Sequence, residues 1–153
     1  MRGRWGAGLA LVFAAGLGAA EEGRPRVALD EPAPAARGHA IECRIYAEES
    51  GRPCGGIVRR LHVPGGPGIR VDLGVGAGET IAAHYDTLLA KLVAHGRTRA
   101  EAIARLGAAL DEFRIDGPPT TLALHRRIVR DPGFVAGGVT SAYLERFVRE
   151  EGT

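Results

Sequence analysis

Lysine is almost absent from these 153 residues: Lys91 is the only one, so the 20 cationic side chains are otherwise all arginine. The formal net charge is +2 and no basic block stands out, which argues against a nucleic-acid footprint. Arginine in excess can serve anion recognition through its planar fork, although genome base composition is the plainer source of the excess as a whole. Cysteine is scarce too. Cys43 and Cys54 are the only two, and no His/Cys cluster accompanies them, so a zinc-type site is excluded. Cys43 sits in an alternating pattern, where a buried free thiol is the ordinary reading, and Cys54 lies in a Gly/Pro loop. The histidines (His39, His62, His84, His95 and His125) are scattered without metal-ligand spacing. Ser50 and Ser141 lie in no nucleophile elbow. Gly74-Val75-Gly76-Ala77-Gly78 looks like a phosphate loop, but no Gly-Lys-Ser/Thr follows, and it reads as a turn. Aromatics make up 5% of the chain, so the core must come from Val, Ile, Leu and Ala.

What is present divides the chain. Arg2 and Arg4 precede an apolar run from Trp5 to Ala20, which ends Gly18-Ala19-Ala20 before Glu21 and Glu22. A basic start, an apolar middle and a small-residue exit mark a secretory signal peptide, and the run is short for a membrane span. The competing reading is Ala/Gly-rich coding sequence that imitates one. Residues 1–20 are therefore expected to form a signal-like leader. Residues 21–36, punctuated by Pro25, Pro32 and Pro34, are expected to be a linker, and residues 37–148 the folded domain.

From His39 to Ala47 the apolar positions Ile41, Cys43 and Ile45 alternate with Glu42, Arg44 and Tyr46, which predicts a strand with one buried face. Gly51 to Gly56 reads as a turn. Ile57 to Val63, Ile69 to Val75 and a short Thr80 to Ala83 read as further strands, with a sharp Gly/Pro loop at Pro64 to Gly68. Thr87 to His95 carries Leu88, Leu89, Leu92 and Val93 at helical spacing, with Asp86 placed to cap the helix, Lys91 inside it and Gly96 to stop it. Thr98 and Glu101 form a capping box for a helix to about Phe113, with Ile103, Leu106, Leu110 and Phe113 on one stripe. Two more helices are expected, from Thr120 or Thr121 to about Val129 and from Thr140 to Val148. Strands followed by helices predict an α+β domain, an antiparallel sheet with helices packed on it.

Four segments carry a resemblance: Arg-Gly-His-Ala-Ile-Glu-Cys-Arg-Ile-Tyr-Ala-Glu (Arg37 to Glu48), Pro-Gly-Gly-Pro-Gly-Ile-Arg (Pro64 to Arg70), His-Tyr-Asp-Thr-Leu-Leu-Ala-Lys-Leu (His84 to Leu92) and Phe-Arg-Ile-Asp-Gly (Phe113 to Gly117). In this order they resemble the C-terminal domain of biotin carboxylase, the ATP-dependent component of acetyl-CoA, propionyl-CoA, methylcrotonyl-CoA and pyruvate carboxylases. The ending around Thr120 to His125 and Asp131 to Phe134 leans toward the acetyl-CoA carboxylase type, the enzyme of fatty acid biosynthesis. The loop at Gly51 to Gly56 is shorter than in the family, and Pro118-Pro119 replaces a more ordinary pair after Asp-Gly, stiffening that turn.

The resemblance implies a catalytic role for Arg70, facing bicarbonate and biotin and steadying negative charge on the ureido oxygen as N1′ loses its proton. A fixed cation that never deprotonates suits that task. The plainer reading is a surface arginine pairing with Asp72 or Glu79. Asp116 and Arg99 match family residues at the pocket or dimer edge. Asp116 also reads as an ordinary Asp-Gly turn. Arg99 sits in a helix first turn, where the dipole disfavours a cation, so a specific partner would explain it. Tyr85, Asp86 and Lys91 are expected to shape the domain, and Glu42 and Arg44 to pair across to neighbouring strands.

The whole family enzyme uses ATP, Mg²⁺, bicarbonate and biotin, and an ATP-grasp domain holds the first two. None of that domain's motifs is present, so no cofactor is expected on this chain alone, which reads as a fragment or split-enzyme piece inactive by itself. The implied partners are an ATP-grasp portion, a biotin carboxyl carrier protein and a second copy in a homodimer. The alternatives are a non-catalytic assembly or regulatory module of a carboxylase, or an exported small domain. The body places the chain in the cytoplasm; the leader points to export.

Overall fold

A computed structural model describes residues 36–140 and 142–145, all within one unit, Ala36–Thr153. The leader at 1–20, nearly all of the linker at 21–36 and the end of the last expected helix lie outside the described residues. Of that helix, residues 142–145 are helical.

The chain runs β1 (His39–Tyr46), β2 (Glu48–Glu49), β3 (Arg52–Pro53), β4 (Gly56–Ile57), β5 (Arg60–His62), β6 (Ile69–Leu73), β7 (Thr80–Ile81), β8 (Leu88–Gly96), α1 (Arg99–Glu112), β9 (Arg114–Asp116), α2 (Leu122–Ile128) and α3 (Pro132–Ala136). The main sheet is three-stranded and antiparallel in the order β1-β8-β6, and β2-β3, β4-β7 and β5-β9 form two-stranded ribbons. The α+β class holds, with α1 laid across the sheet.

The segment expected as a helix from Thr87 to His95 is instead β8, the central strand, paired on both sides with β1 and β6. Its misleading spacing has a physical source: Leu89 is buried on the face opposite Ala90, Leu92 and Ala94, while Lys91 and Val93 are only half-buried there and His95 is exposed. Ala90, Leu92 and Ala94 enter the core under α1, while Leu89 enters a second cluster with Ala47, Val58 and Val75. Burial of Leu89 next to Ala90 breaks the period of two at the start of the strand, so that its apolar positions read as helical spacing. Asp86 accordingly caps no helix; its Oδ1 accepts from the Leu88 amide at 3.0 Å where the strand begins. Lys91 lies on a strand. The strand expected from Ile57 to Val63 is broken into β4 and β5, which pair with different partners.

The helix α1 begins as its capping residues require. The Thr98 hydroxyl accepts from Glu101 N at 3.2 Å, and Glu101 Oε2 takes the amide of Arg97 at 2.8 Å, one residue before the usual box partner. Its inner face buries Ala102, Leu106, Ala109 and Leu110, the last three in one cluster with Cys43, Ile45 and Leu92, with Phe113 closing the end. Each large side chain removed from water here contributes about 1.5–3 kcal/mol. The C-terminal carbonyls are met by arginine: Arg126 Nε donates to Leu110 O at 2.9 Å and its Nη2 to Phe113 O at 2.8 Å. Arg114 adds bonds to the carbonyls of Asp111 and Phe113, and Arg130 grips the Asp111 carboxylate at 2.6 and 2.7 Å. Cations at a helix C-terminus complement its dipole.

The outer edge of β1 is met by α2. The Tyr46 amide donates to Thr121 Oγ1 at 3.1 Å, and Thr121 N donates to Tyr46 O at 3.1 Å. His125 Nε2 lies 2.9 Å from Arg44 O. A carbonyl only accepts, so Nε2 carries the proton. Burial lowers the pKa of this imidazole, and its bond to the Arg44 carbonyl only partly opposes that.

Candidate functional site

Arg70 is delivered by the Pro64–Gly68 turn onto the edge strand β6. Gly68 has φ +76°, and a Cβ there would run into the Arg105 guanidinium and sit 2.5 Å from His95 O. Only glycine lets the turn lie this close to β8. The turn is pinned by His95 N donating to Gly68 O at 2.7 Å. Arg70 then sits opposite Val93, and Asp72 opposite Lys91. Because Val71 and Leu92 face α1, Arg70, Asp72 and Lys91 share the other face, with Glu42 and Arg44 beyond them.

On that face Arg70 holds Asp72 by a two-point bond, Nε to Oδ1 and Nη2 to Oδ2, both 2.9 Å. The Arg70 side chain is 74% exposed. The bond to Asp72 raises the Arg70 pKa; the same bond lowers that of Asp72, and the charge of Lys91 adds to the lowering. The Asp72 pairing anticipated for a surface arginine is therefore present, whereas Glu79 instead accepts from Gly76 N at 3.0 Å. Glu42 and Arg44 pair with each other along β1 at 3.2 Å rather than across strands.

Asp116 ends β9, and its carboxylate meets Arg60 Nε at 2.7 Å. The following Gly117 is needed for close approach: a Cβ there would strike the Ile57 carbonyl. Asp-Gly thus closes a strand onto β4 and β5 rather than serving as a plain hairpin turn. Asp116 also lines an open concavity of about 560 Å³ on the β5-β9 ribbon; neither Arg70 nor Arg99 reaches it.

Arg99 has the specific partner its awkward position demands. Its Nη2 donates to Phe134 O at 2.6 Å, and the guanidinium lies 5.0 Å over the Phe134 ring. It ties the first turn of α1 to α3, which is itself capped by Asp131 accepting from Gly133 N and Phe134 N. The Nε of Arg99 is buried without a partner among the described residues.

The three expected site residues do not converge within the chain. Arg70 is on the sheet face away from α1, while Arg99 opens that helix and Asp116 follows its other end, the helix itself rising roughly 21 Å over its 14 residues. The arginines around the end of α1 and the half-buried His125 were not singled out from sequence. Their partners are backbone carbonyls brought near only by the fold. Cys43 and Cys54 are free thiols, as expected, and burial pushes the Cys43 pKa up to about 12. Tyr85 is 76% exposed, with its ring beside that of His84.

Residues 42–146 match the family model described as the biotin carboxylase C-terminal domain. Biotin carboxylase of Allochromatium vinosum is 45% identical over 114 residues, 73% of this chain and 25% of that protein. The biotin-dependent acyl-coenzyme A carboxylase alpha3 subunit of Mycobacterium leprae is 44% identical, covering 74% of this chain and 20% of its own length. Among solved structures, the biotin carboxylase subunit of pyruvate carboxylase aligns with a TM-score of 0.71 at 38% identity, covering 75% of this chain and 26% of that one. The chain thus spans about a quarter of the length of the relatives it matches.

Proposed function

Because this chain belongs to the biotin carboxylase C-terminal domain family, we propose that it supplies that domain's share of ATP- and bicarbonate-dependent carboxylation of biotin. The observation that carries the reading is the match over residues 42–146 to one domain of much longer carboxylases. Arg70 is the catalytic residue in this proposal. Its guanidinium stays charged at any working pH, and its strand is held by β8. Asp72 takes Nε and Nη2, which fixes the plane of the fork and leaves Nη1 to meet an anion. A cation so held lowers the energy of the ureido oxygen as the biotin N1′ proton leaves, with no reorganisation at the moment of reaction.

ATP and Mg²⁺ belong to an ATP-grasp portion on other residues. Among the described residues no group of three His, Cys, Asp or Glu side chains could hold a metal ion, so no step is assigned to one here. Arg99 and Asp116 serve the pocket or dimer edge. The exposed sheet face around Arg70 meets the ATP-grasp portion, a carrier protein presents biotin, and a second copy completes a dimer. No described helix is long and apolar enough to cross a membrane. The cytoplasm, which holds ATP and bicarbonate, is the proposed location.

The test combines the full chain with the ATP-grasp portion of a related carboxylase and measures ATP- and bicarbonate-dependent carboxylation of biotin. Activity is expected only in the mixture, and Arg70→Ala is expected to lower kcat by about 10²–10³-fold, as for loss of one oxyanion donor. Full activity in the Arg70→Ala mixture would remove Arg70 from the chemistry. Carboxylation by the chain unaided would end the reading as a whole.

A further inference from the structure

We propose that the outer face of the β5-β9 ribbon is an anion site that takes the phosphate or diphosphate group of a small molecule. The ribbon pairs Arg60 with Asp116, Leu61 with Ile115 and His62 with Arg114. Directly opposed residues share a face, and residues two apart along a strand share it too. Leu61 and Ile115 therefore turn inward, where both pack against the two apolar clusters. Arg60, His62, Arg114 and Asp116 turn outward together. They line the open concavity of about 560 Å³, with Arg59, Ala77 and part of Leu61 completing its wall.

The charge there is unbalanced. Three guanidinium groups line the space against one carboxylate, and that carboxylate is already bonded to Arg60. His62 is held by Glu112 at 3.2 Å, and Arg114 by the carbonyls at the end of α1. The Arg59 amide donates to Asp116 O at 2.7 Å, but its guanidinium meets no acceptor among the described residues. Next to Arg114, Arg126 has its pKa lowered by desolvation and then by the charge of Arg114, an effect that Asp111, itself gripped by Arg130, opposes. Like charges crowded on a two-stranded ribbon cost stability, and an anion seated among them relieves that cost. A carboxylate has two oxygens and fills one fork. A phosphate or diphosphate has enough to meet Arg59, Arg60 and Arg114 at once, each a planar donor suited to it. The site is independent of the role proposed for Arg70, which lies outside the concavity.

The experiment is a titration of the full ¹⁵N-labelled chain with inorganic pyrophosphate at fixed ionic strength, with chloride as the control anion. Saturable amide shifts are expected at residues 59–62 and 114–116. Arg59→Ser combined with Arg60→Ser should weaken binding about tenfold or more. Arg59→Ser alone, which removes a side chain that holds nothing else in the fold, should weaken it about threefold. Arg52→Ser, an exposed arginine on the separate β2-β3 ribbon, should leave it unchanged. The proposal is overturned if no saturation appears by roughly 10 mM. It is equally overturned if Arg52→Ser costs as much as Arg59→Ser, or if the shifts spread over every arginine alike.

Discussion

The two faces of the β1-β8-β6 sheet are built from alternate residues of the same strands, yet they have almost nothing else in common. One face presents Ile45, Leu92 and Ala94, each 0% exposed, to α1. The other presents Glu42, Arg44, Lys91, Arg70 and Asp72, arranged as two arginine–carboxylate pairs with the lysine between them. The buried face decides whether the sheet exists and in what register. The charged face rides on that decision at little cost, so it is free to be spent on recognition. Sheets with one solvated face commonly divide in this way.

Three measurements would break or sharpen that division. Leu92→Ala, on the buried face at the centre of the middle strand, should cost about 2–5 kcal/mol by urea unfolding. A cost comparable to that of an exposed substitution would mean the core lies elsewhere. The next effect belongs to acid. His125 is neutral in the fold, with its pKa lowered by burial, while the unfolded chain protonates it near about 6.5. The unfolded state therefore binds the extra proton first, and stability is full above that pH and falls as pH drops below it. His125→Gln, which keeps a donor for Arg44 O, should flatten the stability profile between about pH 6.5 and 5, before the carboxylates titrate. An unchanged slope would show that His125 does not drive it. The smallest effect is on the charged face. Arg70→Ala should leave the urea midpoint where it was, because an exposed ion pair contributes little. A clear loss of stability would make Arg70 a structural residue and weaken its proposed part in catalysis.

These faces also explain what could be read from the sequence. The alternation of β1 was legible because Glu42 and Arg44 are solvated. In β8 Leu89 is buried on the far side, and the alternation disappears. The start of α1 was legible because Thr98 and Glu101 bond to backbone atoms within four residues. The end of α1 was not, since Arg126 reaches Phe113 O from 13 residues away. β9 is only three residues long and exists as a strand through its partner β5. Among the site candidates, Arg70 and its Asp72 neighbour were visible because they stand two apart on one strand. The Arg60 partner of Asp116 and the Phe134 partner of Arg99 depend on contacts across the fold. No local pattern announces them.

The contact of α2 with β1 has a further consequence. A sheet rim with vacant amides and carbonyls is a template for other strands, in a second copy or in a growing fibril. Thr121 and His125 occupy that rim at Arg44 and Tyr46, so the helix acts as a lid against self-association. Acid that charges His125 would loosen the lid, making clumping in mildly acidic solution the visible symptom of one imidazole gaining a proton.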